Sequence, residues 1–283
     1  MGLNYEILND KPKIGLALGS GGARGLSHIG VIKVLEKHNI PIDFIAGSSI
    51  GALIGGFYAA TKNIQKIEET ASQINWKQLL SLTDPSFHQG ILKGERIKKF
   101  IKKIIGENFS DLKIPFAAVT TDLKNGKTVI LKKGDLVSAI RASIAFPLVF
   151  QPIKLENKIL SDGGLSMPVP VKAVKEMGAT IIIAVNLDGD YLNKKTERKF
   201  GFYEIANTSL NILRYHLALC NTKEADIVIT PKVGDITWFD FVKSKEKAIS
   251  LGEKAAEEKI NLLKNLIKEK TYTGLKKYFD FLR

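Results

Sequence analysis

The run Gly47-Ser48-Ser49-Ile50-Gly51 sets a serine between glycines two positions away on either side, the spacing of a nucleophile elbow. A serine on a tight strand-to-helix turn leaves no room for side chains at those positions. Glycine at both lets strand and helix pack closely while Ser49 projects from the sheet edge. A second glycine-rich run, Gly19-Ser20-Gly21-Gly22-Ala23-Arg24-Gly25, separates an apolar strand from a helix, so its successive amides can converge on a negative oxygen. It fits neither nucleotide pattern. A GxGxxG register from Gly19 needs glycine at 24 and meets Arg24, and no Gly-Lys-Ser/Thr follows. The loop suits an oxyanion better than a cofactor.

A serine nucleophile needs a base. The histidines are His28, His38, His88 and His216. His28 reads as a packed helix residue one turn past the glycine loop, and no histidine occupies a late loop after a strand, where α/β-hydrolases keep theirs. Asp162-Gly163-Gly164 remains. A glycine turn after an apolar strand end is where α/β folds place active carboxylates, which makes Asp162 the candidate partner in a Ser-Asp dyad. A carboxylate near pKa 4 is a weak base, so partial burial would have to raise it.

The elements that must hold these groups follow from periodicity. Apolar runs Lys13–Leu18, Phe44–Ala46 and Thr180–Asn186 read as buried strands of a parallel sheet, joined by Pro115–Thr121, Lys127–Leu131, Ile153–Leu155, Lys158–Leu160 and Asp226–Thr230. Lys124-Asn125-Gly126 marks a hairpin. Helices are expected over His28–Lys37, Ile50–Ala60, Ile64–Leu80, Glu95–Ile105, Asp135–Ile144, Val171–Met177, residues 202–221 and Lys243 to about Lys270, with a polar, flexible loop over Asp188–Lys199. Phe44–Thr61 also competes as a membrane span, being uncharged and repeating Gly47, Gly51 and Gly55 at the helix-pairing spacing; its four glycines and two serines make it a weak one.

Length and composition bound the rest. The 283 residues suffice for one large α/β domain, without internal repeats or a domain linker. The start shows neither a secretory pattern nor a myristoylation site, since position 6 is Glu. One cysteine, Cys220, excludes an internal disulfide and a cysteine metal cluster, so a cytoplasmic setting is expected. The 42 basic against 29 acidic residues leave +13, which favours anionic surfaces; no nucleic-acid motif or stacking stripe accompanies it. In Glu95–Ile105 the isoleucines and Phe100 line one face, with Lys98, Lys99, Lys102 and Lys103 opposite. A surface helix packed on the core is favoured over a membrane-lying one, and peripheral contact with an anionic membrane through the lysines is the weaker expectation. The preceding loop, Thr83–Gly94, carries Pro85 and Gly90 and would serve as a lid.

Taken together, Gly21-Gly22-Ala23-Arg24-Gly25, Gly47-Ser48-Ser49-Ile50-Gly51 and Asp162-Gly163-Gly164 resemble the three signatures of the patatin-like phospholipase family, closest to its small bacterial, neuropathy-target-esterase-like members. The likeness spans residues 13–263, leaving an extension at 1–12 and a basic tail at 264–283. It implies an α/β protein with a three-layer α/β/α fold on a mostly parallel sheet. It also implies a lipid or acyl ester substrate hydrolysed without metal or other cofactor, Ser49 as nucleophile, Asp162 as its partner, and the amides of Gly21, Gly22 and Ala23 as oxyanion hole. Ser20 and Arg24 stand where relatives often carry Gly and Lys. A catalytically weak adaptor and a basic lipid-binding protein with vestigial motifs are the alternatives, disfavoured because neither needs both Ser49 and Asp162.

Overall fold

A computed structural model describes residues 11–73, 94–147, 149–193 and 201–281. Strands β1 (Ile14–Leu18), β2 (Phe44–Ser48), β3 (Phe116–Asp122), β4 (Thr128–Leu131), β5 (Ile153–Leu155), β6 (Lys158–Asp162), β7 (Ile181–Val185) and β8 (Ile227–Ile229) form one sheet. Its order is β5-β6-β3-β2-β1-β7-β8, with β4 also paired to β3. The run from β3 through β2, β1 and β7 to β8 is parallel, and β4, β5 and β6 add an antiparallel edge. The central strands β1 and β7 are buried along their whole length, as their unbroken apolar sequences require.

The described helices are α1 (Ser27–Lys37), α2 (Ile50–Thr61), α3 (Ile64–Gln73), α4 (Glu95–Ile105), α5 (Leu136–Ser143), α6 (Val171–Glu176), α7 (Phe202–Asn221) and α8 (Lys245–Phe281). Alternation along the strands divides the core in two. Ile14, Leu16, Leu18, Ile45, Ile181 and Ile183 face one layer, with buried residues of α1 to α5 and α8. Ala17, Ala46, Ala117 and Ala184 face the other, against Val171 and Val174 of α6 and Ala218 of α7. Alanines on this second face let α6 lie close to the sheet. The result is a three-layer α/β/α fold.

Several expectations shift in detail. Phe44–Thr61 is strand, turn and helix, not a span, and among the described residues no helix is long and apolar enough to cross a membrane. The sixth strand runs on to Asp162, which becomes its last residue. Asp188 and Tyr191, expected in a flexible loop, are buried against Arg24, as is Leu187 just ahead of them. Helix α4 buries Ile97, Ile101 and Ile105, so its apolar face belongs to the core. On its other side Lys98 pairs with Glu95 and Lys102 with Glu107. Helix α8 continues unbroken through position 264 to Phe281. Residues 74–93, which include the expected end of α3, His88 and most of the expected lid, lie outside the described residues, as do 1–10 and 194–200.

Helices α1 and α8 cross at two glycines. A Cβ on Gly30 would lie 2.0 Å from the Ile249 carbonyl oxygen, and one on Gly252 would lie 2.0 Å from that of Ser27. Backbone cannot yield as a side chain can, so Gly30→Ala must separate the helices. The expected loss is about 1–3 kcal/mol in urea unfolding; an unchanged midpoint would show that the crossing is loosely packed.

Candidate active site

Ser49 ends the turn between β2 and α2 with φ 56° and ψ −123°, a conformation that a residue with a Cβ adopts only under strain. The flanking glycines make the turn feasible. A Cβ on Gly47 would stand 2.3 Å from the Gly51 carbonyl oxygen, and one on Gly51 would stand 2.1 Å from that of Leu18. Strand register brings the partner. Ser48 pairs with Val119 of β3, and the next residue, Thr120, pairs with Asp162 of β6. The two strands that carry Ser49 and Asp162 therefore meet at adjacent positions of β3. Ser49 Oγ donates to Asp162 Oδ2 at 2.5 Å, while Asp162 Oδ1 accepts from the Gly164 amide at 2.7 Å. Gly163 packs against the Val119 carbonyl and Gly25 against Ile50, so both glycine turns close tightly on the elbow.

Asp162 is 2 % exposed. Burial pushes its carboxyl up to about 6, against the opposing pull of the Ser49 and Gly164 hydrogen bonds and the Arg214 charge; Asp188 adds a small upward push. His28 is fully buried, as a packed helix residue should be. Its Nε2 lies 2.8 Å from the Gly19 carbonyl oxygen, which makes it the donor there, and Nδ1 has no partner among the described residues. Burial lowers this imidazole to about 4 despite that hydrogen bond. His28 thus steadies the glycine loop and lies outside the Ser49–Asp162 pair.

Of the three amides assigned to an oxyanion hole, that of Ala23 donates to the Trp238 carbonyl oxygen at 2.9 Å. Gly21 and Gly22 stand at the cap and first residue of the 3-10 turn Gly22–Leu26, where amides have no intrahelical acceptor. The amide of Ser49 itself is taken by Ser143 Oγ at 3.0 Å, whose hydroxyl donates to the Val119 carbonyl at 2.6 Å. Among the described residues, the amides of Gly21 and Gly22 therefore remain open to an anion, with the amides that open α2 behind Ser49.

Sequence reading missed the charged cluster beneath the glycine loop. Asp188, 1 % exposed, accepts from Arg24 at 3.2 Å and from Arg214 at 2.7 Å. Arg24 Nε also donates to the Gly21 carbonyl at 3.2 Å, and Arg214 to Ser20 Oγ at 3.0 Å. Arg214 lies 4.6 Å from the Trp238 ring centroid, and Trp238 Nε1 donates to Asn211 at 3.0 Å. One signal was available: Arg214 is the only formal charge between Ile205 and Thr222. Trp238, Phe239, Phe146 and Phe150 join Ile50 and Leu53 around an apolar cavity of about 100 Å³ that opens onto Ser49.

A family model described as patatin-like phospholipase matches residues 16–175, more than half of the chain. The chain belongs to the patatin-like phospholipase family. All three glycine signatures, with Ser49 and Asp162, fall inside that match. Among relatives of this patatin-like chain, an uncharacterized NTE family protein of Mycobacterium tuberculosis is 42% identical over 183 residues, covering 64% of this chain and 51% of the relative. Lysophospholipase NTE1 of Candida albicans is 34% identical over 195 residues, covering 66% of this chain and 14% of the relative. The match thus spans about half of the mycobacterial protein and a small part of the fungal one. VipD from Legionella pneumophila shares the fold at TM-score 0.52 and 12% identity, over 90% of this chain and 67% of that chain.

Burial gives Asp162 a signature independent of activity. Above pH 3.8 the unfolded patatin-like chain releases this proton, whereas the folded chain keeps it to about 6. Stability therefore falls across that window and stays lower above it. His28 acts in the opposite sense: its unfolded imidazole takes a proton below 6.5 and the folded one only near 4, so stability is lost as pH falls between them. The two effects offset each other in the parent. Asp162→Asn removes the first, so the variant's stability relative to the parent should rise by about 3 kcal/mol between about pH 4 and pH 7 in urea unfolding. A difference constant with pH would show that the carboxyl titrates normally.

Proposed function

We propose that the chain is a serine acyl hydrolase that cleaves fatty acyl esters of phospholipids or lysophospholipids. The observation that carries this reading is the 2.5 Å hydrogen bond from Ser49 Oγ to buried Asp162, formed at a strained elbow that faces an apolar cavity. An adaptor would have no use for the strain, and a lipid-binding protein would have none for the carboxylate. The family, and the lysophospholipase named among the relatives, support the substrate class.

In this mechanism the acyl chain lies in the cavity with its ester carbonyl over Ser49. Asp162 Oδ2 accepts the Ser49 proton as Oγ adds to the carbonyl carbon. Negative charge develops on the carbonyl oxygen, beside the amides of Gly21 and Gly22. Collapse breaks the bond to the alcohol oxygen, which leaves with the proton held by Asp162. The acyl group now rests on Ser49. Water then attacks this ester, gives its proton to Asp162, and the fatty acid departs as the proton returns to Ser49 Oγ. A carboxyl near 6 serves both steps, because at neutral pH it is ionised yet more basic than an exposed carboxylate.

A fluorophosphonate probe should label Ser49 and no other serine. Ser49→Ala and Asp162→Asn should each lower kcat/KM for a p-nitrophenyl ester by about three orders of magnitude or more. His216→Ala, at an exposed position of α7, should leave it unchanged. For the parent, kcat/KM should fall below a pH of about 6, where Asp162 becomes protonated. Ester hydrolysis that survives Ser49→Ala would remove the assignment.

A further inference from the structure

Helix α7 is accounted for on one side only. Asn211, Arg214 and Ala218 point inward and are buried. On the other side Ile205 is 51% exposed, Ile212 38%, Leu213 67% and Leu219 42%. Positions 205, 212 and 219 recur every seven residues and 213 lies beside them, so these side chains form one stripe. Between Ile205 and Thr222 the only formal charge, Arg214, is turned inward onto Asp188. The exposed stripe is therefore uncharged, in a chain where 25% of residues carry charge. Ser209 and His216 share this face, which thus presents four large apolar side chains and no formal charge; a row of exposed apolar side chains of this kind marks an interaction site.

The same helix also supports the cavity wall. From the inner side of the same helix Asn211 and Arg214 hold Trp238, and Trp238 and Phe239 line the cavity with Ser49. Phe239 is 45% exposed and Val242 56%, so the segment that supplies part of the cavity wall also presents apolar side chains to solvent. We infer that the outward face of α7, with Phe239 and Val242, docks the chain on an anionic phospholipid leaflet and sets the cavity mouth against it. This rests on the acyl-lipid reading given above. Charge selects the occupant. A second copy would bring another +13 against the first, whereas an anionic leaflet attracts that charge. Lys223 and Lys243 are exposed at the end of α7 and beside Val242, within reach of headgroups. The basic helix α4 is a poorer candidate for insertion, because its isoleucines are in the core.

Vesicle binding read in the Ser49→Ala background separates docking from hydrolysis. Against mixed phosphatidylglycerol and phosphatidylcholine vesicles, Ile205→Asp with Leu213→Asp should weaken sedimentation binding about tenfold or more. In the active protein the same pair should leave hydrolysis of a soluble ester unchanged and lower hydrolysis of vesicle lipid in parallel. In Leu213→Trp, vesicles should shift the emission of the new tryptophan to the blue, which reads insertion without depending on affinity. Three results would each overturn the inference: binding that withstands the double substitution, binding lost only on Lys98→Glu with Lys102→Glu, or a dimer in sedimentation velocity that the double substitution dissociates. If no ester is hydrolysed while vesicle binding behaves as described, the acyl-hydrolase reading fails and the docking surface stands.

Discussion

The close approach of strand and helix at Gly47 and Gly51 is the constraint on which the site depends. It holds Ser49 at φ 56°, and the surrounding sheet must resist the turn's tendency to relax. Resistance comes from several sides. The Ser49 amide is fixed by Ser143, Ser143 is fixed to Val119, and Val119 lies opposite Ser48 in the ladder. Any outward movement of the elbow would break these bonds within a dry interior, where an unmade hydrogen bond costs about 1–3 kcal/mol. The hydroxyl is thereby held on Asp162, the geometry that the proposed mechanism uses.

Beneath that elbow lies a second arrangement, electrostatic in character. Two arginines share one aspartate in a region with almost no solvent, directly under the glycine loop. Buried guanidinium groups need partners; here carbonyl oxygens, Ser20 and the Trp238 ring supplement Asp188. The placement of this cluster has two consequences. Arg214 holds Ser20, just before the amides of Gly21 and Gly22, and Arg24 holds the Gly21 carbonyl between them. The field of Arg214 also adds to the larger pulls of the Ser49 and Gly164 hydrogen bonds against burial, and together they hold the Asp162 carboxyl near 6. In the proposed mechanism the site is a compromise between a base that must be dry and a base that must ionise.

The asymmetry of the sheet faces serves the same end. Large aliphatic side chains on one face support α2 and the helices around it, which carry the elbow and part of the cavity wall. The alanine-rich opposite face draws α6 close, and Pro168, just ahead of it, accepts from the Ser20 amide. The Ser49–Asp162 pair and an apolar cavity thus sit at the same edge of the sheet, where Trp238, held by Asn211 and Arg214 of α7, closes one side.

By itself the sequence determined what depends on local rules. Continuous apolar runs marked β1, β2 and β7, because a strand buried on both faces has no polar alternation to hide it. Glycine spacing marked the elbow, because no other residue fits within 2.1–2.3 Å of a neighbouring carbonyl oxygen. Histidine positions and an Asp-Gly-Gly turn pointed to Asp162, although the spacing says nothing of its distance from Ser49. That distance is a tertiary fact, set by adjacent pairings on β3 from segments 113 residues apart. The burial that raises Asp162 is likewise a property of the assembled layers. So is the loss of the Ala23 amide to Trp238, which no reading of the glycine loop alone could reveal. Asp188 looked like the start of a polar loop and Arg214 like a helix residue, since each finds its meaning only in the other. Local sterics are written in neighbouring residues, whereas charge pairing and desolvation are written in contacts that the chain makes only when folded.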